Sequence, residues 1–485
     1  MPRSVGFDRH RGLIADRTAS DRYSAHILMS TDSHKFIRAW ASMGSRFLPF
    51  ADAATPDLPL GRLLRLALFQ VSVGMALVLL IGTLNRVMIV ELRVPAALVS
   101  VMVALPLLFA PFRALIGFRS DTHRSALGWR RVPFIWMGTL IQFGGLAIMP
   151  FALLVLSGGG AASQWPVWVG WLGAGIAFLL VGAGLHTTQT VGLALATDLA
   201  PVESQPNVVG LMYVMLLLGM IASALLFGLL LADFSPARLV QVLQGAAVVT
   251  LLLNVIALWK QEGRHRSTQP VRQDPTFKES WAAFTSGSDA IRRLIAVGLG
   301  TMAFSMEDVL LEPYGGEILH MSVGATTALT ATLAFGGLSG FALASYLLNR
   351  GADPFRMASN GAQVGVPAFV AVICSSSLGS PLLFSLGVLL IGFGGGLFGH
   401  GTLTATMNLA PKEQSGLALG AWGAVQASAA GIAIALGGVI RDVAASQTAS
   451  TTAYAVVYSI EIGLLIATMW AMAPLIRREA SRASA

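Results

Sequence analysis

The side chains of this sequence that could do chemistry are few and lie in apolar surroundings. His186 sits in GLHTTQTVGLALATDLAP (184–201) and His400 in IGFGGGLFGHGTLTATMNLAP (391–411). On a helix, His186 is about 18 Å from Asp198 and His400 about 15 Å from Ala410, depths near the middle of a bilayer. Gln189 and Thr190 follow His186 at i+3 and i+4 and form one polar stripe with it. Polar groups at such depth are costly and are therefore functional candidates. A neutral imidazole with one free nitrogen can be an axial ligand to a metal; a histidine hydrogen-bonded within a bundle is the plainer reading. Around His400, Gly392, Gly394, Gly395, Gly396, Gly399 and Gly401 fall within ten residues. Two readings fit this smooth strip. Gly392/Gly396 and Gly395/Gly399, each spaced by four, suit close helix packing, and a flat hydrophobic ligand could equally lie on the glycines beneath an imidazole.

A second cluster is acidic. MEDVLLEPYGGE (306–317) places Glu307, Asp308 and Glu312 within six residues at the end of an apolar run. On a continuous helix Asp308 and Glu312 share a face, and their repulsion calls for a proton or a cation between them. Arg86, after Asn85 near the end of the first apolar run, is placed to supply one. We expect Arg86 to pair with Glu307 or Asp308 as a periplasmic latch, the alternative being that all of them snorkel to the interface. Arg113, following Pro111, is expected to snorkel, and Glu461 reads as a lone acid facing another helix.

The elements that position these residues are membrane helices. Hydrophobic residues make up 55% of the 485 and charged ones 12%, with a mean hydropathy of +0.70; soluble domains carry about a quarter charged residues. Twelve apolar stretches reach the roughly 20 residues a crossing needs: 64–90, 96–116, 132–156, 167–197, 207–231, 237–259, 293–312, 323–348, 357–376, 381–409, 415–440 and 453–475. The net charge of +8 sorts by connection instead of marking a nucleic-acid surface. Arg119, Arg124, Arg130 and Arg131, then Lys260 to Lys278, then Arg350 and Arg356 fall in even-numbered connections, which puts those connections and both termini in the cytoplasm. No catalytic motif, phosphate loop or metal-spaced cluster is present. The single cysteine, Cys374, excludes an intrachain disulfide.

Residues 181–201 and 391–411 repeat one another at an offset of 210, aligning Gly182 with Gly392, Gly184 with Gly394 and Leu199-Ala200-Pro201 with Leu409-Ala410-Pro411. Such a repeat indicates a transporter-type bundle made by duplication. The expected organisation is a cytoplasmic tail over 1–60 with an interfacial helix at 33–48, a six-helix bundle over 61–259, a basic cytoplasmic loop over 260–292, a second bundle over 293–476 and a tail over 477–485. Met1 and Met29 are both candidate starts. After the second span, Gly117 and Asp121, then Arg124, Arg130 and Arg131, resemble the G-x-x-x-D-R motif of the major facilitator superfamily, with two extra residues before Arg124. This is an all-α membrane fold of twelve transmembrane helices in two pseudo-symmetric halves.

The strings SVGMALVLLIGTLNRVMIVEL (72–92), FAPFRALIGFRSDTHRSALGWRRVPFIW (109–136), GLHTTQTVGLALATDLAP (184–201) and GTMAFSMEDVLLEPYGGEILHMSVGATT (300–327) resemble the PucC/LhaA family, the bacteriochlorophyll-delivery branch of that superfamily. RFLPFADAATPDLPL (46–60) resembles the LhaA type more than the PucC type. The resemblance implies a non-enzymatic assembly factor of the intracytoplasmic photosynthetic membrane. Such a factor binds bacteriochlorophyll transiently and delivers it to light-harvesting antenna polypeptides, those of the core antenna in preference to the peripheral one, beside the protein translocon and bacteriochlorophyll synthase. Two alternatives stand beside it: a proton-coupled solute transporter using Glu307, Asp308 or Glu312, and a chaperone for antenna helices that touches no pigment.

Overall fold

The computed structural model describes residues 54–55, 58–109, 112–113, 116, 119–120, 128–158, 164–201, 204–263, 290–348, 350–409 and 415–483. The expected interfacial helix at 33–48, most of the central loop, and Gly117, Asp121 and Arg124 lie outside them. Among the described residues the principal helices run in chain order: α1 Leu60–Glu91, α2 Ala96–Ala104, α3 Val132–Leu156, α4 Val167–Leu199, α5 Gln205–Leu230 and α6 Pro236–Leu258 form one half. In the other half are α7 Ile291–Glu317, α8 Val323–Leu348, α9 Pro354–Leu378, α10 Pro381–Leu409, α11 Ser415–Ala445 and α12 Ser450–Ala483. The last of these passes the boundary expected at 476. Large apolar side chains such as Leu229, Leu378, Leu382 and Trp470 cover the outer surface, as lipid contact requires; this is a multi-pass membrane protein.

Proline decides where two helices depart from regularity. α2 tightens after Ala104 into a 3₁₀ turn over Leu105–Phe109, because Pro106 has no N–H to donate. The regular helix expected to run from 96 to 116 is therefore interrupted, and the described residues 112–113, 116 and 119–120 beyond the turn are again helical. α7 breaks after Ala303, passes through a 3₁₀ turn at Glu307–Val309 and restarts at Leu311. Pro313 cannot donate to the Val309 carbonyl and its ring would clash there. The expectation that Asp308 and Glu312 share one helical face is thereby corrected, since the break turns them apart. α1 carries two π-helical segments, Val78–Thr83 and Val87–Glu91, on either side of Asn85 and Arg86.

Helix adjacency obeys a pseudo-two-fold rule. α3 packs on α4 and α6 as α9 packs on α10 and α12, while α1 packs on α5 and α6 as α7 packs on α11 and α12. Across the halves, α5 meets α8 and α2 meets α11, contacts that exchange under the same rotation. The repeated glycines occupy equivalent joints. Gly184 and Gly138 bring α4 against α3, Gly394 and Gly361 bring α10 against α9, Gly182 receives Pro106 of α2, and Gly392 receives the Leu333 carbonyl of α8.

Three polar side chains buried in the first half are matched to one another. Asn254 on α6 accepts from the Ser72 hydroxyl at 2.9 Å and donates to Thr139 of α3 at 2.9 Å. At the end bearing the even-numbered connections, Arg130 and Arg131 meet Asp198 at 2.5 and 2.9 Å. The Glu262 carboxylate accepts from the backbone N–H groups of Arg130, Arg131 and Val132 at 2.8 to 3.0 Å. A carboxylate on three free N–H groups satisfies the start of α3 and complements its dipole. Glu262→Ala is expected to cost about 1–2 kcal/mol, read as a lowered thermal midpoint in detergent, and Glu262→Gln should lose less.

Candidate functional site

α10 presents its glycines on three sides. Cβ atoms at Gly392 and Gly396 would strike the Leu333 and Gly337 carbonyls of α8, and Gly336 and Gly340 of α8 are pressed reciprocally against Leu389 and Phe393. Gly394 and Gly401 abut α9, at Gly361 and at Pro354 and Ala358. Gly395 and Gly399 face open space: a Cβ at Gly395 would come no nearer than 3.8 Å to Phe304, and one at Gly399 would meet nothing within 4 Å. Close helix packing therefore holds for Gly392 and Gly396 but not for Gly395 and Gly399, whose face is bare.

The open side borders a cavity of about 340 Å³ between the halves, within the range of small-molecule sites. α10 contributes Gly392, Gly395, Gly396 and Gly399 to its wall. Phe304, Phe341 and Trp422 supply aromatic surface, and Tyr213 enters from α5 in the opposite half. Gln426, Thr301 and Ser305 are its neutral polar groups, while Glu307 and Asp308 close the end nearer the odd-numbered connections.

Neither histidine is among the lining residues. His400 lies behind Phe341, with ring centroids 4.1 Å apart. His186 is buried in α4 with Nδ1 unmatched. Gln189 and Thr190 on the same stripe accept from Arg113, through Nη2 at 3.3 Å and Nε at 2.9 Å. Arg113 thus reaches across to α4, where snorkelling was expected.

The acids separate into two groups. Glu312 accepts from Thr330 and packs on Gly82. Glu307 and Glu461 of α12 come within hydrogen-bonding reach of each other, and no donor reaches Glu461 or Oε2 of Glu307. Ionised carboxylates only accept hydrogen bonds, so two of them facing each other here have none to exchange. Asp308 stands beside the pair and Tyr458 is near it on α12.

The latch expected between Arg86 and Glu307 or Asp308 does not form. The π-helical turn after Arg86 brings Glu91 within 2.5 Å of Nη1, while Nη2 donates to Met321 O at 3.3 Å. Asn85, not Arg86, touches residue 308, through the Asp308 carbonyl at 3.3 Å. The halves are joined at this end by other groups: Asp442 accepts from the Ala97 N–H at 2.7 Å and Thr83 meets Thr327 at 3.3 Å. Asp442 in turn belongs to a network in which Arg441 pairs with Glu317 at 2.6 Å and Tyr454 donates to Glu317 at 2.9 Å. An adjacent Arg-Asp pair at the end of an apolar run was the available signal for Asp442, and a buried lone acid was the one for Glu461.

Residues 83–480 match the family model described as PUCC protein. A protein PucC of Rhodovulum sulfidophilum is 66% identical over 406 residues, spanning 83% of this chain and 89% of its own. A bacteriochlorophyll synthase 44.5 kDa chain of Rhodobacter capsulatus is 27% identical over 439 residues, spanning 87% and 97%. Among solved structures, a bacterial homologue of the human lysosomal transporter Spinster, inward-facing and unoccupied, superposes with a TM-score of 0.59 at 15% identity over 85% of this chain and 94% of that one. The fold is that of the major facilitator superfamily.

Cysteines at Thr83 and Thr327 in a Cys374→Ser background should cross-link readily. Adding Asp442→Ala should slow the reaction several-fold; an unchanged rate would mean that Asp442 does not hold the halves together.

Proposed function

This chain belongs to the PUCC protein family, and from that premise we propose that it is a non-enzymatic assembly factor that binds bacteriochlorophyll and delivers it to light-harvesting antenna polypeptides. The observation that carries this reading is the bare face of Gly395 and Gly399 bordering an apolar cavity at mid-depth. A planar macrocycle gains dispersion contact over its whole face only against a wall without side chains. The aromatic rings of Phe304, Phe341 and Trp422 suit the same cargo. The name of the relative from Rhodobacter capsulatus connects the group with bacteriochlorophyll. The protein would act in the bacterial photosynthetic membrane, with both termini and the arginine-rich even-numbered connections in the cytoplasm and the sealed end at the periplasm. Antenna polypeptides, the translocon and bacteriochlorophyll synthase would be its partners. In this reading His400, behind Phe341, supplies a magnesium ligand only if that ring swings aside, and His186 belongs to the polar stripe with Gln189.

One feature favours a second reading. The Glu307–Glu461 pair at the cavity end is a place to hold a proton, as a proton-coupled solute transporter requires.

The glycine faces give a direct test. Protein purified from a pigment-making host should show near-infrared bacteriochlorophyll absorption. Gly399→Leu, whose side chain enters open space, should fold normally and lose that absorption. Gly392→Leu should fail to fold, because its side chain meets the α8 backbone. A colourless wild-type preparation from pigment-replete membranes, or normal antenna levels in a deletion strain, would overturn the assignment. Loss of transport activity in Glu461→Gln, with antenna levels intact, would favour the second reading.

A further inference from the structure

Arg113 is an arginine at membrane depth whose partners are all neutral. Its guanidinium donates to Thr190 Oγ1 at 2.9 Å and Gln189 Oε1 at 3.3 Å. Among the described residues its electrostatic neighbours are His186 and Tyr213, and no carboxylate stands among those. Arg86, Arg131 and Arg441, by contrast, each meet an acid, at 2.5, 2.9 and 2.6 Å. Gln189 lies nine residues from Asp198, about 13 Å inside the even end of α4, so the charge is held within the apolar span. Arginine does not shed its proton in proteins. A charge kept there without a counter-ion is unfavourable unless something binds to it.

The surroundings indicate where a ligand would enter. Arg113 uses Nε and Nη2 on α4, leaving Nη1 unengaged. His186, 8% exposed, keeps Nδ1 unmatched beside it. Tyr213 links this cluster to the cavity, since it neighbours Arg113 and also lines the cavity wall across from the glycines. A ligand lying on Gly395 and Gly399 could thus extend an acidic substituent past Tyr213 to the guanidinium.

We propose that Arg113, with His186 and Tyr213, is the anion-recognition point of the cavity, selecting an amphiphile with a flat apolar body and one anionic group. Resting on the pigment reading, the anion is the carboxylate of the pigment's free acid, before its propionate is esterified with a long-chain alcohol. Esterification would then be the class of reaction that follows loading. A lipid phosphate shares this chemistry and is the alternative source of the anion.

The full-length protein in nanodiscs, titrated by fluorescence with the pigment free acid, its long-chain ester and phosphatidylglycerol, distinguishes the cases. The free acid should bind about tenfold or more tighter than the ester, as one charge-assisted contact implies. Arg113→Gln should remove that preference by weakening the acid alone, and Arg113→Lys should retain part of it. Without ligand, Arg113→Gln should melt at or above the wild-type temperature, because it deletes an uncompensated charge while its amide can still bond to α4. Arg113-dependent binding of phosphatidylglycerol with no pigment bound would sustain the anion site and overturn the pigment reading. Acid and ester binding alike, or equal weakening of both by Arg113→Gln, would overturn the inference while leaving pigment binding intact. A lower melting point of the ligand-free Arg113→Gln variant would mark Arg113 as structural and also overturn it.

Discussion

The crossing of α8 and α10 is the contact on which the remainder depends. In lipid there is no hydrophobic gain from bringing two apolar helices together, so close packing and backbone approach must hold them. Gly336 and Gly340 on one helix and Gly392 and Gly396 on the other remove every side chain from that contact. Once this face of α10 is committed to α8 and the Gly394 and Gly401 face to α9, the helix has no rotational freedom left. Gly395 and Gly399 must then point inward, and because they carry no side chains the interior there remains hollow.

The broken α7 sets the other end of that hollow. Had the helix continued, Glu307, Asp308 and Glu312 would have been distributed over regular faces of one cylinder. Pro313 ends that regularity and sends Glu312 toward Thr330 and Gly82, while Glu307 faces Glu461 and Asp308 borders the cavity. The same end of the bundle holds the hydrogen bonds between described residues of the two halves, from Thr83, Asn85, Arg86, Ala97 and Ser100. The cavity therefore lies behind a seam of polar contacts on one side, with the Arg113 cluster toward the other.

The internal repeat was the most informative part of the primary structure. Aligning Gly182 with Gly392 and Gly184 with Gly394 identifies pairs that prove to fill equivalent joints, toward α2 and α8 and toward α3 and α9. The same offset aligns Gln189 with Gly399 and Thr190 with His400, which explains why the two halves offer different inner walls: a polar stripe bound to Arg113 and a bare glycine face. Helix periodicity served less well wherever proline or a π-helical segment interrupted it. The pairing of Arg86 was misjudged for that reason. Its true partner, Glu91, is five residues away, a spacing that a regular helix does not bring together but a π-helical turn does.

Composition and hydropathy by themselves determined that the chain resides in a bilayer, how many times it crosses and that its halves are copies, because those properties follow from segment length and from the cost of exposing backbone polar groups to hydrocarbon. The polar residues worth attention were likewise legible, since charge at depth is rare. Only the tertiary structure decided which glycines touch backbone and which face the hollow, that Arg113 turns inward to α4, and that Glu461 meets Glu307. Each of these depends on the rotation of one helix about its axis relative to a neighbour far away in the chain, and spacing within a single helix carries no information about that angle.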